Sequence, residues 1–507
     1  MVQELKPDRL RREIDIKSLN WKELRKKKSA RPLIGQERAL KALEFGIGNK
    51  SGGFNIYVSG YPGSGKTMAV NHFLEEIGKL EPSPGDWCYV NNFKDAYYPR
   101  KLLLPKGGAQ IFKNEIETLI QEIQKLLLTA FESKEYAEKR QNIIDDSNQK
   151  KQELFVNLHK KAKKNNFAIR LTPIEILVIP VDESGMPLSD NQFSKLNDRK
   201  KEDLLNKQDE LKEELRSLLR VNRDLERDNS DSLRELDRNV ALYSINSLLA
   251  ELQQKYQEFE DILDHLENVK NDILDNLPDF LDKAPARGII GQQPIDKFLK
   301  YKVNVLTDNS NLEGAPIITE LNPTYTNLFG KVEHESHMGS LVTNFTLIRG
   351  GVLHRANGGY LILPFKELLQ NYFSWDGLKR AINNKEIVIE DTGERLGFLS
   401  SKSLKPDPIP LDIQVILIGA PKWYYLFYEW DEDFRELFKV KAEFDTMMKY
   451  SISNIKDFVG VIYKIEKENQ LIPLSEMGMK SLLEQAVRIA QDRRKISIKF
   501  REISDIL

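Results

Sequence analysis

The chain has 507 residues, 40% of them hydrophobic, which is enough for roughly three or four domains with ordinary buried cores. Its 76 basic and 77 acidic residues give a net charge near zero, so no global electrostatic argument favours nucleic acid or an acidic membrane as a partner. The single cysteine, Cys88, excludes an internal disulfide, and no apolar run approaches the roughly 18 residues of a membrane span. With a charged N-terminus unlike a signal peptide, these features predict a cytoplasmic protein.

The first 30 residues are charged and show little periodicity, and they include a basic run at 25–28. We interpret 1–30 as a solvated tail that packs at its few apolar positions, in preference to an arm that binds nucleic acid. From residue 31 the pattern becomes that of a folded domain.

A phosphate-binding loop is the most informative motif. One segment fits the pattern G-x-x-x-x-G-K-[ST] in full. Its residues are Gly60, Tyr61, Pro62, Gly63, Ser64, Gly65, Lys66 and Thr67. A strand pattern at 54–59 precedes it and a helical pattern at 68–74 follows, which is the order that aims loop amides and a helix N-terminus at one phosphate group. The alternative, a glycine turn with a chance lysine, is much less favoured by this context.

Residues 110–285 change character and are rich in Leu, Ile, Glu and Lys with few Gly or Pro. Leucines recur at helical spacing between 204 and 236, which predicts an antiparallel helical hairpin packed on itself, with a coiled coil that binds a partner as the alternative. Segments 167–171 and 176–181 predict a small β-hairpin near the tip of this inserted domain.

Globular patterning resumes after the insertion. Strands are predicted at 87–93, 301–306, 315–320, 359–363 and 413–419, and helical spacing from about 450 predicts a small α-helical lid. The predicted division is 1–30 tail, 31–109 first part of an α/β core, 110–285 helical insertion, 286–448 second part of the core, and 449–507 lid.

This arrangement of a phosphate loop, later apolar strands and a helical lid is that of an AAA+ P-loop nucleoside triphosphatase core. Within that superfamily, segments 327–330 and 350–363 resemble the Lon-type ATP-dependent proteases of the archaeal-like B and bacterial C classes. Further matching stretches are 322–325, 333–334, 375–381, 408–412 and 436–440. The resemblance runs from about residue 5 to the C-terminus and includes the helical insertion, a trait of this family.

The resemblance implies a nucleotide cofactor, ATP or ADP, with Mg²⁺. Gly60, Gly63 and Gly65 would let backbone amides approach the phosphates, Lys66 would neutralise the β and γ oxygens, and Thr67 would ligate magnesium.

Two departures from the family pattern concern hydrolysis. Where the family ends a strand with the acid that organises magnesium, this chain has Pro364, followed by Phe365 and Lys366. Glu367 comes three residues later and is a poor substitute, because the chain should already turn into a helix there. After the next strand, at 419–421, Gly-Ala-Pro replaces a polar residue that positions water in many AAA+ proteins. We therefore predict nucleotide binding with slow or absent turnover.

Other roles implied by the resemblance are less specific. Arg435 and Lys439 are candidates for a cation presented to the γ-phosphate of a neighbouring subunit, with surface ion pairs as the alternative. Two more cations, Lys499 and Arg501, fall near the sensor position of the lid, where solvated helix charges are an equal alternative.

A candidate pore loop spans residues 337–342. In related rings this position projects a hydrophobic residue into the central pore, which makes Met338 and Leu341 candidates for gripping an unfolded polypeptide. A buried loop anchor is the favoured alternative at this point. The spacing of His334 and His337 lacks a third ligand, so no metal site is predicted from the histidines.

A Lon-type peptidase needs a serine activated by a lysine in a domain beyond the lid, and no such dyad can be assigned in this chain. A truncated protease is the favoured explanation and a free-standing ATPase-like subunit the alternative. The resemblance implies a homo-oligomer, a hexameric ring that feeds unfolded protein substrates to the peptidase. Two other functions stay open, a scaffold or adaptor that binds nucleotide without hydrolysing it, and, less favoured, a nucleic-acid remodelling motor. Neither a membrane nor nucleic acid is expected as a partner.

Overall fold

The computed structural model describes residues 4, 12–14, 34–49, 51–171, 176–182, 186–188, 197–282, 296–337, 340–371, 373–390 and 403–507. The chain forms two compact units, one from Met1–Ile116 with Lys300–Leu507 and one from Glu117–Leu299. We call them the core unit and the inserted unit. Within the described residues, no helix combines the length and the apolarity that crossing a bilayer requires.

The chain enters the core unit through alternating helices and strands. The elements are α1 (Glu37–Gly48), β1 (Ile56–Ser59), α2 (Lys66–Gly78), β2 (Asp86–Val90), β3 (Arg100–Leu104) and α3 (Gly108–Phe131). Strand β1 ends and α2 begins on either side of the phosphate-loop motif, as the sequence predicted. The predicted strand at 87–93 ends earlier, at Val90.

The inserted unit is mostly helical. Its elements after α3 are α4 (Lys134–Lys164), β4 (Phe167–Leu171), β5 (Ile176–Pro180), α5 (Asp198–Lys255), α6 (Glu260–Asp275) and α7 (Leu277–Leu281). Strands β4 and β5 pair in antiparallel register, which confirms the predicted hairpin.

Helices α4 and α5 run antiparallel along each other. The hydroxyl of Tyr136 donates to Asp237 at 2.8 Å, and Lys151 forms an ion pair with Glu226 at 3.2 Å. Later residues of α4 therefore contact earlier residues of α5, as in an antiparallel pair. Part of the leucine series, Leu211, Leu215 and Leu218, is buried together with Leu158 of α4. The preferred interpretation, a helical hairpin packed on itself, is confirmed.

The second part of the core unit begins after a 3₁₀ turn at Leu299–Tyr301. Its first elements are β6 (Val303–Val305), β7 (Ile317–Thr319), α8 (Tyr325–Phe329), β8 (Gly330–Val332), β9 (Glu335–His337), β10 (Ser340–Val342), a 3₁₀ turn (Phe345–Leu347), β11 (Ile348–Gly350), α9 (Val352–Arg355) and β12 (Gly359–Pro364). It continues with α10 (Phe365–Gln370), α11 (Ser374–Asn384), β13 (Glu386–Ile387), β14 (Ile409–Pro410), β15 (Ile413–Gly419), α12 (Pro421–Trp430), α13 (Glu432–Leu437) and β16 (Val440–Glu443).

The C-terminal segment is helical with one small β-pair. Its elements are β17 (Met447–Lys449), α14 (Ile452–Glu468), α15 (Glu476–Ile489), β18 (Lys495–Ser497) and α16 (Phe500–Ser504). The three helices and the β-pair share a hydrophobic core built on Phe458, Leu483 and Ile496.

A five-stranded parallel sheet organises the core unit, in the order β16–β1–β15–β12–β7. On one face, Ile56 and Val58 of β1 pack with Val70 and Leu74 of α2. On the other face, Tyr57 joins a larger core that continues through α10 to α13. Because both faces are covered, the strands are near-continuously apolar, as is usual for parallel sheets. The fold class, an α/β core of AAA+ type with a helical insertion and a C-terminal helical lid, is confirmed.

Candidate nucleotide site

The phosphate-loop motif lies at the carboxyl edge of the sheet, between β1 and α2. Gly63 and Gly65 have φ of 79° and 73°, in the left-handed region that residues with a side chain rarely adopt. Helix α2 begins directly after Gly65, and the first amides of a helix have no intrahelical acceptor. The loop therefore offers an anion a backbone cradle and the positive end of a helix dipole.

Lys66 places its charge over this cradle. Its Nζ donates to the carbonyls of Gly60 at 2.9 Å and of Tyr61 at 3.1 Å. Partial burial lowers the pKa of Lys66, because an ammonium loses hydration there. A cation with only neutral carbonyl partners is well suited to a phosphate, which would supply the missing negative charge. Thr67 follows it and is exposed.

The lid contributes a second cation to the loop. A Cβ added to Gly63 would lie 2.7 Å from the Cβ of Arg501, so this arginine, in the first turn of α16, packs directly on the loop. Lys499 instead donates to Glu502 at 3.0 Å, which is the solvated helix charge of the alternative interpretation. The structure thus separates two cations that the sequence treated together.

Strand β12 is separated from β1 by β15 and ends in Pro364 at the same carboxyl edge of the sheet. Pro364 pairs with Ile418 of β15 at the last position of the ladder. Phe365 follows and is fully buried, and Lys366 is exposed. Glu367 lies in the first turn of α10, where a carboxylate stabilises the helix through its dipole and needs no metal ion to do so.

Tyr57 explains why position 419 has no side chain. Its hydroxyl donates to the carbonyl of Ala420 at 3.0 Å. A Cβ added to Gly419 would lie only 2.0 Å from that hydroxyl oxygen. The space in which many AAA+ proteins place a polar side chain is therefore filled by a tyrosine from the neighbouring strand. Sequence analysis missed this residue, because the contact depends on the register of β1 against β15.

Aromatic rings surround Tyr57 on this side of the edge. Phe365 lies 5.5 Å from Tyr57, 5.4 Å from Trp375 and 4.9 Å from Phe427 between ring centroids. Phe434 packs on the same group, 5.9 Å from Tyr57. We call these five residues the aromatic cluster. The pattern of aromatic residues at 423–430 was the available signal, but it does not say which rings turn inward.

The fit to a nucleotide differs between phosphate and metal. The loop and Lys66 suit phosphate oxygens. For a magnesium ion, Thr67 offers a hydroxyl, but Pro364 offers no oxygen from its side chain. Among the residues described, no cluster of three or more His, Cys, Asp or Glu side chains is placed to hold a metal ion. His334 is therefore not part of such a cluster there. The donor set supports binding of phosphate and does not support an organised metal shell.

The candidate trans cations have partners within the chain. Arg435 lies 3.9 Å from Glu432 in an ion pair and 6.0 Å from the ring centroid of Tyr428, with its side chain partly exposed. Lys439 packs near the ring of Phe54, before β16 begins and therefore toward the amino edge of the sheet. The surface ion pair that was weighed as the alternative is present for Arg435.

The candidate pore loop falls on the hairpin formed by β9 and β10, where Leu341 pairs with Ser336. The Leu341 side chain is 57% exposed, which does not fit a buried loop anchor. Met338 lies outside the described residues.

Three segments of the chain match models of known protein families. Residues 313–445 match "LonB-like, AAA domain", residues 86–119 match "Lon-like LonC helical domain", and residues 473–507 match "Archaeal LonB, AAA+ ATPase LID domain". Together the three matches support a Lon-like AAA+ protein of the B/C class. They cover parts of the core, the start of the insertion and the lid, in the order that the resemblance implied.

Other comparisons add little. No curated protein matches the Lon-like chain at a significant level. Among solved structures, NtrX from Brucella abortus aligns at 12% identity over 35% of this chain and 41% of that chain, with a TM-score of 0.19. The aligned part spans less than half of that protein.

Proposed function

We propose that this chain is the nucleotide-binding and substrate-handling module of a Lon-like ATP-dependent serine protease, with weak or absent ATP hydrolysis. The observation that carries the proposal is the contrast at one sheet edge. A phosphate cradle with Lys66 and Arg501 faces a side where Pro364 replaces a metal-organising acid and Tyr57 fills the space beside Gly419.

Residue roles follow from this contrast. Amides of the loop residues Gly60 to Thr67 and the Lys66 ammonium bind the phosphates of ATP or ADP, and Arg501 couples the lid to the occupied loop. Thr67 supplies the single hydroxyl that a nucleotide-bound Mg²⁺ can use. Because phosphoryl transfer depends on positioning and charge neutralisation, a site without the acid loses more rate than affinity.

Handling of unfolded polypeptide is the second part of the proposal. The exposed Leu341 on the β9–β10 hairpin supports it, since an apolar side chain in solvent at a hairpin can contact an extended chain. We propose that Leu341 and Met338 line the pore of a homo-oligomeric ring, a hexamer in the complete protease, in the cytoplasm. Arg435 and Lys439 are the proposed cations at the contact with the next subunit.

A titration with a fluorescent ADP analogue tests nucleotide binding. The expected result is saturable binding that changes little when EDTA removes magnesium, because Pro364 offers the ion no ligand. Lys66→Ala should abolish binding at the same concentrations. Absence of binding by the unmodified chain would contradict the proposal, and so would binding that requires magnesium entirely.

A scaffold that binds nucleotide without turnover is the second candidate. The aromatic cluster favours it, because rings packed around Tyr57 and Phe365 form a buried core and not a pocket that could hold the attacking water. The two candidates differ in polypeptide binding. Cross-linking to unfolded casein that is reduced by Leu341→Ser supports the protease module. Nucleotide-dependent assembly without casein cross-linking supports the scaffold.

A further inference from the structure

A second cavity lies at the amino edge of the five-stranded sheet, opposite the phosphate loop. The starts of β1, β12 and β15, with Asn49 and residues 51–55, line an open cavity of about 290 Å³. That volume accommodates a small molecule. Ligands of open parallel sheets usually bind at the carboxyl edge. The position of this cavity therefore makes it separate from the nucleotide site.

Three amide side chains fix the walls of this amino-edge cavity. Asn55, Asn357 and Gln414 each bridge two backbone groups of neighbouring segments, at distances from 2.7 to 3.0 Å. Asn357 in this way holds the amide of Asp412, and Gln414 holds the loop that precedes β1. Because these groups are already satisfied, the cavity is preformed and its walls need no rearrangement to accept a ligand.

Three charged residues line the cavity, Lys385, Asp412 and Glu81, and Glu81 already accepts a hydrogen bond from the Tyr360 hydroxyl. The other two, Lys385 and Asp412, lie at the same end of the β13–β14 ladder, where the carbonyl of Lys385 accepts from the amide of Leu411 at 2.8 Å. Within the described part of the chain, neither the Lys385 ammonium nor the Asp412 carboxylate forms an ion pair with another residue. An ammonium and a carboxylate that line one cavity without pairing can each bind one end of a zwitterion.

The backbone of Lys385 is an independent reason to assign it a role. Its φ is 56°, in the left-handed region at the C-terminal end of α11. Glycine is the usual residue at such a position, because a Cβ is disfavoured there. A long side chain kept in this conformation points to a function of that side chain.

Aliphatic side chains form part of the remaining wall, beside polar residues. Ile382, Leu411 and Ile413 provide aliphatic surface. Tyr360, which is 2% exposed, donates its hydroxyl to Glu81 at 3.1 Å. An aliphatic ligand side chain would therefore find contacts beside the charged pair.

We propose that the amino-edge cavity binds a small zwitterion, an α-amino acid or short peptide with an aliphatic side chain, through Lys385 and Asp412. Lys385 takes the carboxylate and Asp412 takes the ammonium. Between Lys385 and Asp412 a simple anion or cation would meet one attractive and one repulsive group, so this pair favours a molecule that carries both charges.

Calorimetric titration of the whole chain with L-leucine, glycyl-L-leucine, leucinamide and N-acetyl-L-leucine tests the chemistry. L-Leucine or glycyl-L-leucine should bind, while leucinamide and N-acetyl-L-leucine, each lacking one charge, should bind at least about tenfold more weakly. Equal binding of the zwitterions and of the two compounds with one end blocked would overturn the proposal. So would the absence of heat with both zwitterions at about 10 mM, a concentration well above any useful dissociation constant.

Two variants test the residues. Asp412→Asn and Lys385→Gly should each weaken binding of the zwitterion about tenfold or more. Lys385→Gly should also keep or raise the melting temperature, because glycine accepts the left-handed conformation without strain. Gln470→Gly is the matched control, since Gln470 has φ of 54° outside the cavity, and it should leave binding unchanged.

Competition separates this site from the nucleotide site. Saturating ADP should not change the affinity for L-leucine. Displacement of leucine by ADP, or full binding by Lys385→Gly, would overturn the assignment.

Discussion

The two sides of the carboxyl edge of the sheet differ in how they are built. The phosphate-loop side consists of backbone amides, two glycines with positive φ and the cations Lys66 and Arg501. The opposite side, at Pro364 and Gly419, is packed with aromatic rings. The proposed separation of nucleotide binding from hydrolysis rests on this difference. Pro364 stands at the same edge as a core of aromatic rings.

The largest expected effect is on the phosphate-loop side. Lys66→Ala removes the ammonium above the cradle and should weaken binding of ADP about a hundredfold, since charged hydrogen bonds to phosphate contribute about 1.5–3 kcal/mol. Fluorescence titration measures it. Lys79→Ala, an exposed change just after α2, is the control and should bind as the unmodified chain does. If Lys66→Ala bound ADP with unchanged affinity, the phosphate-loop side would not be the nucleotide-binding side of the sheet edge.

On the aromatic side, Gly419→Ala should destabilise the fold by about 2 kcal/mol, because the new Cβ overlaps the Tyr57 hydroxyl. Denaturant unfolding measures the free energy. In a Tyr57→Phe background the loss should be smaller, and the difference is the coupling between the two positions. Gly52→Ala, where an added Cβ meets no atom within 4 Å, is the control. A Gly419→Ala protein as stable as that control would mean that the space is open.

A buried histidine gives the stability of the core unit a pH dependence. His354 is 2% exposed, and burial lowers its pKa from 6.5 to about 3. Between those values the unfolded state binds a proton that the folded state does not, so stability falls as the pH falls.

His354→Asn keeps an acceptor for the amide of Gly351, which donates to the histidine Nδ1 at 3.1 Å, but does not titrate. From pH 6.5 to 5 the unmodified protein should therefore lose about 1.5 kcal/mol relative to this variant. Comparison of unfolding free energies at the two pH values measures it. Parallel pH profiles would show that folding does not lower the pKa of His354.

The smallest expected effect separates two lid cations. Arg501→Gln should weaken nucleotide binding about tenfold, because it removes the guanidinium charge from a side chain whose stem packs on Gly63. Lys499→Gln should change it little, because Lys499 is paired with Glu502. The same titration compares them. Equal effects of the two substitutions would mean that the lid acts through its net charge and not through the contact at Gly63.

Local patterns in the sequence were enough to predict the phosphate loop, the β4–β5 hairpin and the packing of α4 on α5. Each depends on spacing within a short segment, such as the glycines before Lys66 or the leucines of α5. The departure at Pro364 was equally visible, because it occupies one position of a known pattern.

Contacts between distant segments could not be predicted in the same way. The overlap of Tyr57 with Gly419 follows from the register of two strands, and the position of Arg501 over Gly63 follows from docking of the lid on the loop. Lys385 and Asp412 are unremarkable in the sequence until the β13–β14 ladder brings them together. The candidate roles of Arg435 and Lys439 in a neighbouring subunit stay predictions.

Phosphate release at saturating ATP and magnesium, measured on protein whose ADP binding has been verified by titration, tests the separation of binding from hydrolysis most directly. The contrast between the Lys66 side and the Pro364 side predicts turnover at least about a hundredfold below the roughly 10 s⁻¹ of a typical enzyme. Turnover near that typical value, abolished by Lys66→Ala, would contradict it.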